Sequence, residues 1–501
     1  MSEHIWQWSA VRTAQAIRTG TITSREATES ALDRIHSVNP HINALAEVSA
    51  EEALSAADAA DRRRASGEVT GPLHGVPVTI KINSDQAGHA TTNGVTALKD
   101  AVVNRDGPHV SNWRKAGAIF VGRTNTPAFS IRWFTDNDLH GRTLNPWDPN
   151  RTPGGSSGGA AAAVATGMGA LAHGNDIGGS IRYPAASCGV VGLRPTVGRV
   201  PSWYGPHDQD QLLGVQTMLV QGPLARTVAD TRLGLAAMAV WSPEDPFCMP
   251  VPLTGEPLPR PARVAVVRDV GIKSPDPAVN AAITKASRAL EAAGYVVEEV
   301  ELPLLAEAWR LWWQLVQGIE FPELAPAIEE LGDEAIRRSA DNQFAVARRM
   351  SNDFGLQAYI RGYARRGTLI REMQLFLQQY PLLITPVSAD RTFEVDADVQ
   401  DVDRMQEVIN AQWPMMSLAA LGFPALSVPV ANPDGLPISV QVIGRKFRED
   451  TLFDAGEIIE AHSGVHTPIA HGVTPGVGGA RLKNGTRSSP TPQPFGSGGG
   501  A

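Results

Sequence analysis

The chain has 501 residues, a formal net charge of −8, 43% hydrophobic residues and 19% charged residues. That balance excludes global disorder, and an acidic chain has no general attraction for phosphate backbones, which excludes nucleic acid as an electrostatically recruited partner. Two cysteines, Cys188 and Cys248, exclude a disulfide framework and fit a reducing, cytoplasmic setting.

Residues 1–20, with Glu3, Trp6 and Trp8, hold no apolar core of a secretion signal. Residues 8–36 read as two helices around a turn at Thr19–Thr23, the second capped by Ser24. The Ala-rich, charge-paired stretch 50–66 reads as a helix with a solvated face. From Gly71 to about Pro201, short apolar runs alternate with Gly-rich turns. Val76–Ile82 and Ala118–Val121 read as strands and Gly158–Gly167 as a buried Ala helix, so the texture is α/β. The run Ala160–Ala172 is far shorter than the roughly 20 apolar residues of a membrane span. A helix follows Thr227 as far as Trp241, and the proline-rich stretch 242–262 reads as a connection. Then come a strand at Arg263–Arg268, a helix at 277–293 and a strand at Tyr295–Val300. Residues 303–380 read as mostly helical, and Leu382–Thr385, Ala425–Val430 and Ile438–Ile443 as strands. The Gly/Pro/Ser-rich end, 471–501, reads as disordered.

Three tempting motifs fail on context. Gly117 to Thr124 resembles a phosphate loop, but its apolar, β-branched interior reads as a strand. Gly154–Gly155–Ser156–Ser157–Gly158 has the spacing of a nucleophile elbow, yet Asp148 to Pro153 cannot be the central strand an elbow needs. His462 and His466 have helical ligand spacing without a carboxylate partner, so no metal site is expected.

What stands out is a pair of serines in glycine loops flanking the Ala helix: Pro153–Gly159 with Ser156, and Gly174–Ser180 with Ser180. Ile177, Gly178, Gly179 and Ser180 offer consecutive N–H donors that could hold a developing oxyanion. A serine nucleophile needs a base, and His173 and Lys81 are both available. Strand alternation puts Val78, Ile80 and Ile82 on one face and Thr79, Lys81 and Asn83 on the other. An unperturbed lysine is only ~0.1% neutral near neutral pH, so Lys81 can be the base only if it is buried.

These blocks resemble the amidase signature family: Pro153–Gly159, Gly174–Pro184, Cys188–Thr196, and further out Gly71–Lys81, Asn145–Asp148, Gly222–Asp230 and Gly422–Gly444. The resemblance covers about residues 5–460. It implies a single amidase-signature α/β domain over 1–470, with its signature core at 71–230 and a large mixed, twisted sheet covered by helices on both faces. It implies a Ser–cis-Ser–Lys triad of Ser180, Ser156 and Lys81, a cis peptide at Gly155–Ser156, and an acyl-enzyme on Ser180. Ser157 and Asp176 fall on motif positions that support the site. Asn175 departs from the family's usual Thr or Ser, at a position expected to affect loop packing and no catalytic role.

The implied activity is hydrolysis of small neutral aryl or alkyl amides, with carbamates and esters as further substrates and no cofactor. Eleven tryptophans against six tyrosines point to an aryl-accepting pocket. Its expected lining is Phe129, Ile131, Trp133, Phe134, Trp203, Tyr204 and the helix bearing Trp309, Trp312 and Trp313. The expected partner is a small-molecule amide or carbamate, not nucleic acid or membrane, with the chain a monomer or homodimer. The alternative is an amidotransferase-type subunit needing a partner chain, although 203–221 does not resemble the subunit that acts on tRNA.

Overall fold

The computed structural model describes residues 4–202 and 210–469. Among these, the strands in chain order are β1 (Leu45–Val48), β2 (Pro77–Lys81), β3 (Ile119–Thr124), β4 (Leu171–Asp176), β5 (Val191–Arg194) and β6 (Val220–Ala225). They continue with β7 (Arg263–Val266), β8 (Val296–Glu299), β9 (Leu382–Pro386), β10 (Ala425–Ala431) and β11 (Ile438–Gly444). All join one sheet, in the order β1-β3-β2-β4-β6-β5-β10-β11-β9-β7-β8. β2 lies parallel to β3 and β4, and β7 parallel to β8 and β9, while the remaining pairs are antiparallel. The mixed sheet expected from the sequence is therefore present.

Alternation along the central strands divides the apolar side chains between two cores. In β7, Val264 and Val266 join one cluster and Ala265 the other; in β9, Leu382 and Ile384 part from Leu383 in the same way. A strand buried on both faces must be apolar at every position, which is why these runs read as unbroken hydrophobic stretches. Helices cover both faces.

The helices that matter for the site are α1 (Ala10–Thr19), α2 (Ser24–Ile42), α3 (Ala50–Ala65), α4 (Pro108–Lys115), α5 (Gly158–Thr166), α6 (Arg182–Cys188), α7 (Leu213–Met218), α8 (Val228–Met238), α9 (Pro277–Ala292) and α10 (Leu304–Trp312). One cap differs from expectation. Thr23, not Ser24, caps α2, because the Glu26 carboxylate reaches back to the Thr23 N–H (2.7 Å) while Thr23 Oγ1 accepts from the Glu26 N–H (3.0 Å). Ser24 is already the first helical residue.

β4, β5 and β6 are strands the sequence did not announce. Leu171–Asp176 contains Gly174, Asn175 and Asp176, and Val220–Ala225 contains Gly222 and Pro223, all poor strand formers in isolation. They are strands because each is buried at every position between paired neighbours. The expected tail, 471–501, lies outside the described residues.

Candidate active site

β2 ends at Lys81, and β4 runs beside it in parallel. Val78 and Ile80 turn into one apolar core, while Lys81 turns elsewhere and is fully buried. Its Nζ lies 2.6 Å from Ser156 Oγ and 2.7 Å from Asn175 Oδ1. Burial drives the Lys81 pKa well below its ordinary value, and the negative charge of Asp176 opposes that shift only in part. This is the condition on which a lysine base depends.

Ser156 follows a cis Gly155–Ser156 peptide, in the loop leading into α5. Gly155 permits that path. A Cβ there would stand 2.6 Å from the backbone of 132–134, so no side chain fits. Loops and short helices, not a strand, precede Ser156, as the failed elbow reading required. Ser157 ties the two serine loops together, its N–H donating to the Ser180 carbonyl at 3.2 Å. Ser156 and Ser180 open into one cavity of about 760 Å³.

His173, the other candidate base, is turned away. Its Nε2 is 2.8 Å from Gln221 Oε1, its Nδ1 receives the Lys81 N–H at 3.4 Å, and its ring stacks on His109 at 4.6 Å. Burial, with His109 alongside, holds His173 neutral. It does not line the cavity.

The loop between β4 and α6 carries Ile177–Ser180. Asp176, at the end of β4, is buried and braces this loop. Its carboxylate accepts the Gly179 N–H at 2.8 Å and pairs with Arg182 through two bonds of 2.9 and 3.0 Å, and with Arg194 at 3.3 Å. Burial alone would raise the Asp176 pKa, but the two arginines outweigh it and keep the carboxylate ionised. One consequence corrects the sequence reading. Gly179, expected among the oxyanion donors, has its N–H committed to Asp176, which leaves Ile177, Gly178 and Ser180 as candidates. From behind the loop, Trp312 Nε1 donates to the Ile177 carbonyl (2.8 Å) and Trp133 Nε1 to the Gly178 carbonyl (3.1 Å).

The pocket expectation needs correction at most positions. Phe129 and Ile131 line the cavity. Trp133, Phe134, Trp309 and Trp313 do not: all four are buried in the core cluster that also holds Trp312. Large aromatic rings gain most from complete burial, so a high tryptophan count reported core volume and loop anchoring more than pocket lining. Trp203 and Tyr204 lie outside the described residues. The apolar wall comes instead from Leu98, Val102, Leu212, Val215, Phe321 and Leu324.

Asn175 is the residue at the site whose contact sequence reasoning misses. Its motif position implies an effect on packing alone, yet its side chain touches the Lys81 ammonium position. The signal is there in the sequence, as an amide two residues from the Ile177 loop at a motif position that departs from the usual Thr or Ser. Among the described residues, no group of three or more His, Cys, Asp or Glu side chains is arranged to hold a metal ion, and no helix is long and apolar enough to cross a membrane.

Comparison with known proteins shows what the chain is similar to. A family profile described as Amidase matches residues 26–453. An indoleacetamide hydrolase from Bradyrhizobium diazoefficiens is 44% identical over 468 residues, covering 93% of this chain and 88% of the relative. The A chain of a glutamyl-tRNA(Gln) amidotransferase from Roseiflexus sp. is 36% identical over 482 residues, covering 90% of this chain and 96% of the relative. Among solved structures, a bacterial aryl acylamidase of the amidase signature enzymes superposes with a TM-score of 0.78 at 27% identity, covering 91% of this chain and 96% of that one.

Proposed function

The chain belongs to the amidase signature family of hydrolases acting on carbon–nitrogen bonds other than peptide bonds, and from that premise we propose that Lys81, Ser156 and Ser180 hydrolyse a small, neutral, aryl-bearing amide. The observation that carries this reading is a buried lysine 2.6 Å from a serine hydroxyl in the wall of a large cavity.

Neutral Lys81 accepts the Ser156 hydroxyl proton while Ser156 accepts the proton of Ser180. Ser180 Oγ, so activated, attacks the amide carbonyl carbon. The N–H groups of Ile177, Gly178 and Ser180 receive the oxyanion, and Gly179 with Asp176 keeps the loop in shape. Ser156 returns its proton to the departing nitrogen, the C–N bond breaks, and Lys81 reprotonates Ser156. Water then enters, loses a proton along the same path and cleaves the acyl-enzyme, releasing the acid and free Ser180. No step calls for a cofactor.

Two lines support an aryl-bearing amide: the wall formed by Leu98, Phe129, Ile131 and Phe321, and the kinship with an indoleacetamide hydrolase and an aryl acylamidase. Aryl carbamates and esters present the same carbonyl and are secondary substrates. Cys188 and Cys248 are both free and buried, which suits a cytoplasmic enzyme, working as a monomer or homodimer.

The test is release of ammonia or amine from a panel of indole-3-acetamide, phenylacetamide, alkyl amides, anilides and aryl carbamates, with Ser180→Ala as the control. Release from the arylacetamides that vanishes in Ser180→Ala is expected. A strong preference for charged amino-acid amides would overturn the substrate class. The kinship with one chain of a tRNA amidotransferase favours a second reading, a subunit that needs a partner chain. Turnover by the purified chain alone refutes it, and inactivity restored by a co-purifying partner supports it.

A further inference from the structure

Behind Lys81 runs a chain of hydrogen bonds that the reaction above does not use. Ser130 Oγ donates to Asn93 Oδ1 at 2.6 Å, so it accepts from Asn83 Nδ2, 3.0 Å away. Asn83 therefore presents Oδ1 to Asn175 Nδ2, also at 3.0 Å. That fixes the Asn175 amide with its Oδ1 toward Lys81 Nζ, at 2.7 Å. With Asn93 Oδ1 turned to Ser130, the links run with one polarity from Asn93 to the lysine, and Asn83 Nδ2 also lies 3.4 Å from Asn175 Oδ1. Thr126 Oγ1, 2.8 Å from Ser130 Oγ, completes the serine's partners. Asn93, Phe129 and Ser130 all have left-handed φ, at 47°, 58° and 58°, a region non-glycine residues enter at a cost and keep where surroundings enforce it.

A neutral lysine amine has two N–H bonds and one lone pair. Asn175 Oδ1 is an acceptor and can take only an N–H. With one N–H held there, the lone pair is free to face Ser156 Oγ, 2.6 Å away. We propose that Asn175, oriented by Asn83 and Ser130, is the positioning residue that turns the Lys81 lone pair onto Ser156. This rests on Lys81 being the base, as proposed above.

The charges around Lys81 are few. β4 contributes Asp176, neutralised by Arg182 of α6 and Arg194 of β5. It also contributes His173, kept neutral beside His109 of α4. On β3, Arg123 directs its guanidinium to the carbonyls of Ala90, Ile82 and Ser84. A carboxylate in place of Asn175 would be the nearest unpaired charge. It would stabilise the ammonium form, whereas an apolar group there would remove an acceptor that favours that form.

The experiment measures the rate of Ser180 phosphonylation by a fluorophosphonate as a function of pH. The Ser180 Oγ–P bond forms, the P–F bond breaks, fluoride leaves, and the serine proton passes to Lys81 through Ser156. No substrate need be known. Wild type, Lys81→Ala, Asn175→Asp and Asn175→Leu are compared, each checked for native circular dichroism. We expect Asn175→Asp to move the acid limb up by about one pH unit or more, with the rate recovering at alkaline pH. Asn175→Leu should move the limb down and lower the plateau by about tenfold, the loss of one well-placed hydrogen bond. Opposite shifts are a signature that a structural role alone would not produce. If one variant fails to fold, the limb of the other decides. An unmoved limb beside an inert Lys81→Ala overturns the positioning role and leaves the base assignment standing. Wild-type labelling in Lys81→Ala, or no labelling of wild type, brings down the base assignment itself.

Discussion

Replacing Trp312 by Phe keeps an aromatic ring in the core and removes one interaction, the indole N–H donated to the Ile177 carbonyl at 2.8 Å. The Ile177 carbonyl and the Gly178 N–H belong to the same peptide plane and point in opposite directions. Holding the carbonyl from behind therefore aims the N–H forward. Loss of an entire oxyanion donor costs about 10²–10³ in rate. In Trp312→Phe the donor remains but its aim loosens, so a fall in kcat of about 10- to 100-fold is expected, or roughly 1.4–2.7 kcal/mol of transition-state stabilisation. The oxyanion develops only in the transition state, so KM should change little. Stability should fall by about 1–3 kcal/mol, because a buried carbonyl loses its partner. Steady-state kinetics on the best arylacetamide, together with urea unfolding, separate the two effects. A kcat within about twofold of wild type in a folded variant would refute the argument that the indole aims the loop.

Lys81 supports two further predictions with linked signs. Its folded pKa lies below the ordinary lysine value because of burial, so the neutral, active form exists above that pKa, and activity should decline as pH falls through it; an activity flat across the acid range would contradict this. For stability, the unfolded chain holds the Lys81 proton up to the ordinary lysine value while the folded chain has already released it. The penalty is complete below the folded pKa and shrinks as pH rises toward the unfolded one. Lys81→Met should therefore be inactive yet resist urea better than wild type near neutral pH, with the advantage fading at alkaline pH. Phe129→Ala, in the cavity wall, should raise KM for arylacetamides by about tenfold and leave KM for short alkyl amides nearly unchanged, as parallel kinetics on the two classes would reveal.

Much of this was legible before any coordinates. The alternation in Val78–Ile82 placed Lys81 apart from its apolar neighbours, and the apolar runs that became β9, β10 and β11 needed only their length and composition. β4 and β6 were hidden, because glycine, proline and asparagine are there for the site they frame, and pairing on both sides overrode their local preferences. The pocket was the poorest reading. A tryptophan's ring says that it will be buried and its N–H that it will seek a partner, but only the third dimension reveals whether that partner is a substrate or a backbone carbonyl. Trp312 and Trp133 found carbonyls. The choice between His173 and Lys81, open in the sequence, leans to Lys81 in the geometry, because both imidazole nitrogens of His173 are already engaged.

The cavity takes part of its apolar wall from the same stretch as its proposed reacting groups and part from later in the chain. Lys81, Ser156 and Ser180 come from the strand ends and loops of 77–180, as do the wall residues Leu98, Val102, Phe129 and Ile131, whereas Leu212, Val215, Phe321 and Leu324 come from two later segments. Substitutions in those later segments can reshape what is bound without touching the proposed proton path. Specificity and chemistry are thus separable by design, and exchanging 210–219 and 321–331 between relatives is a direct way to change what the cavity accepts while keeping the proposed proton path.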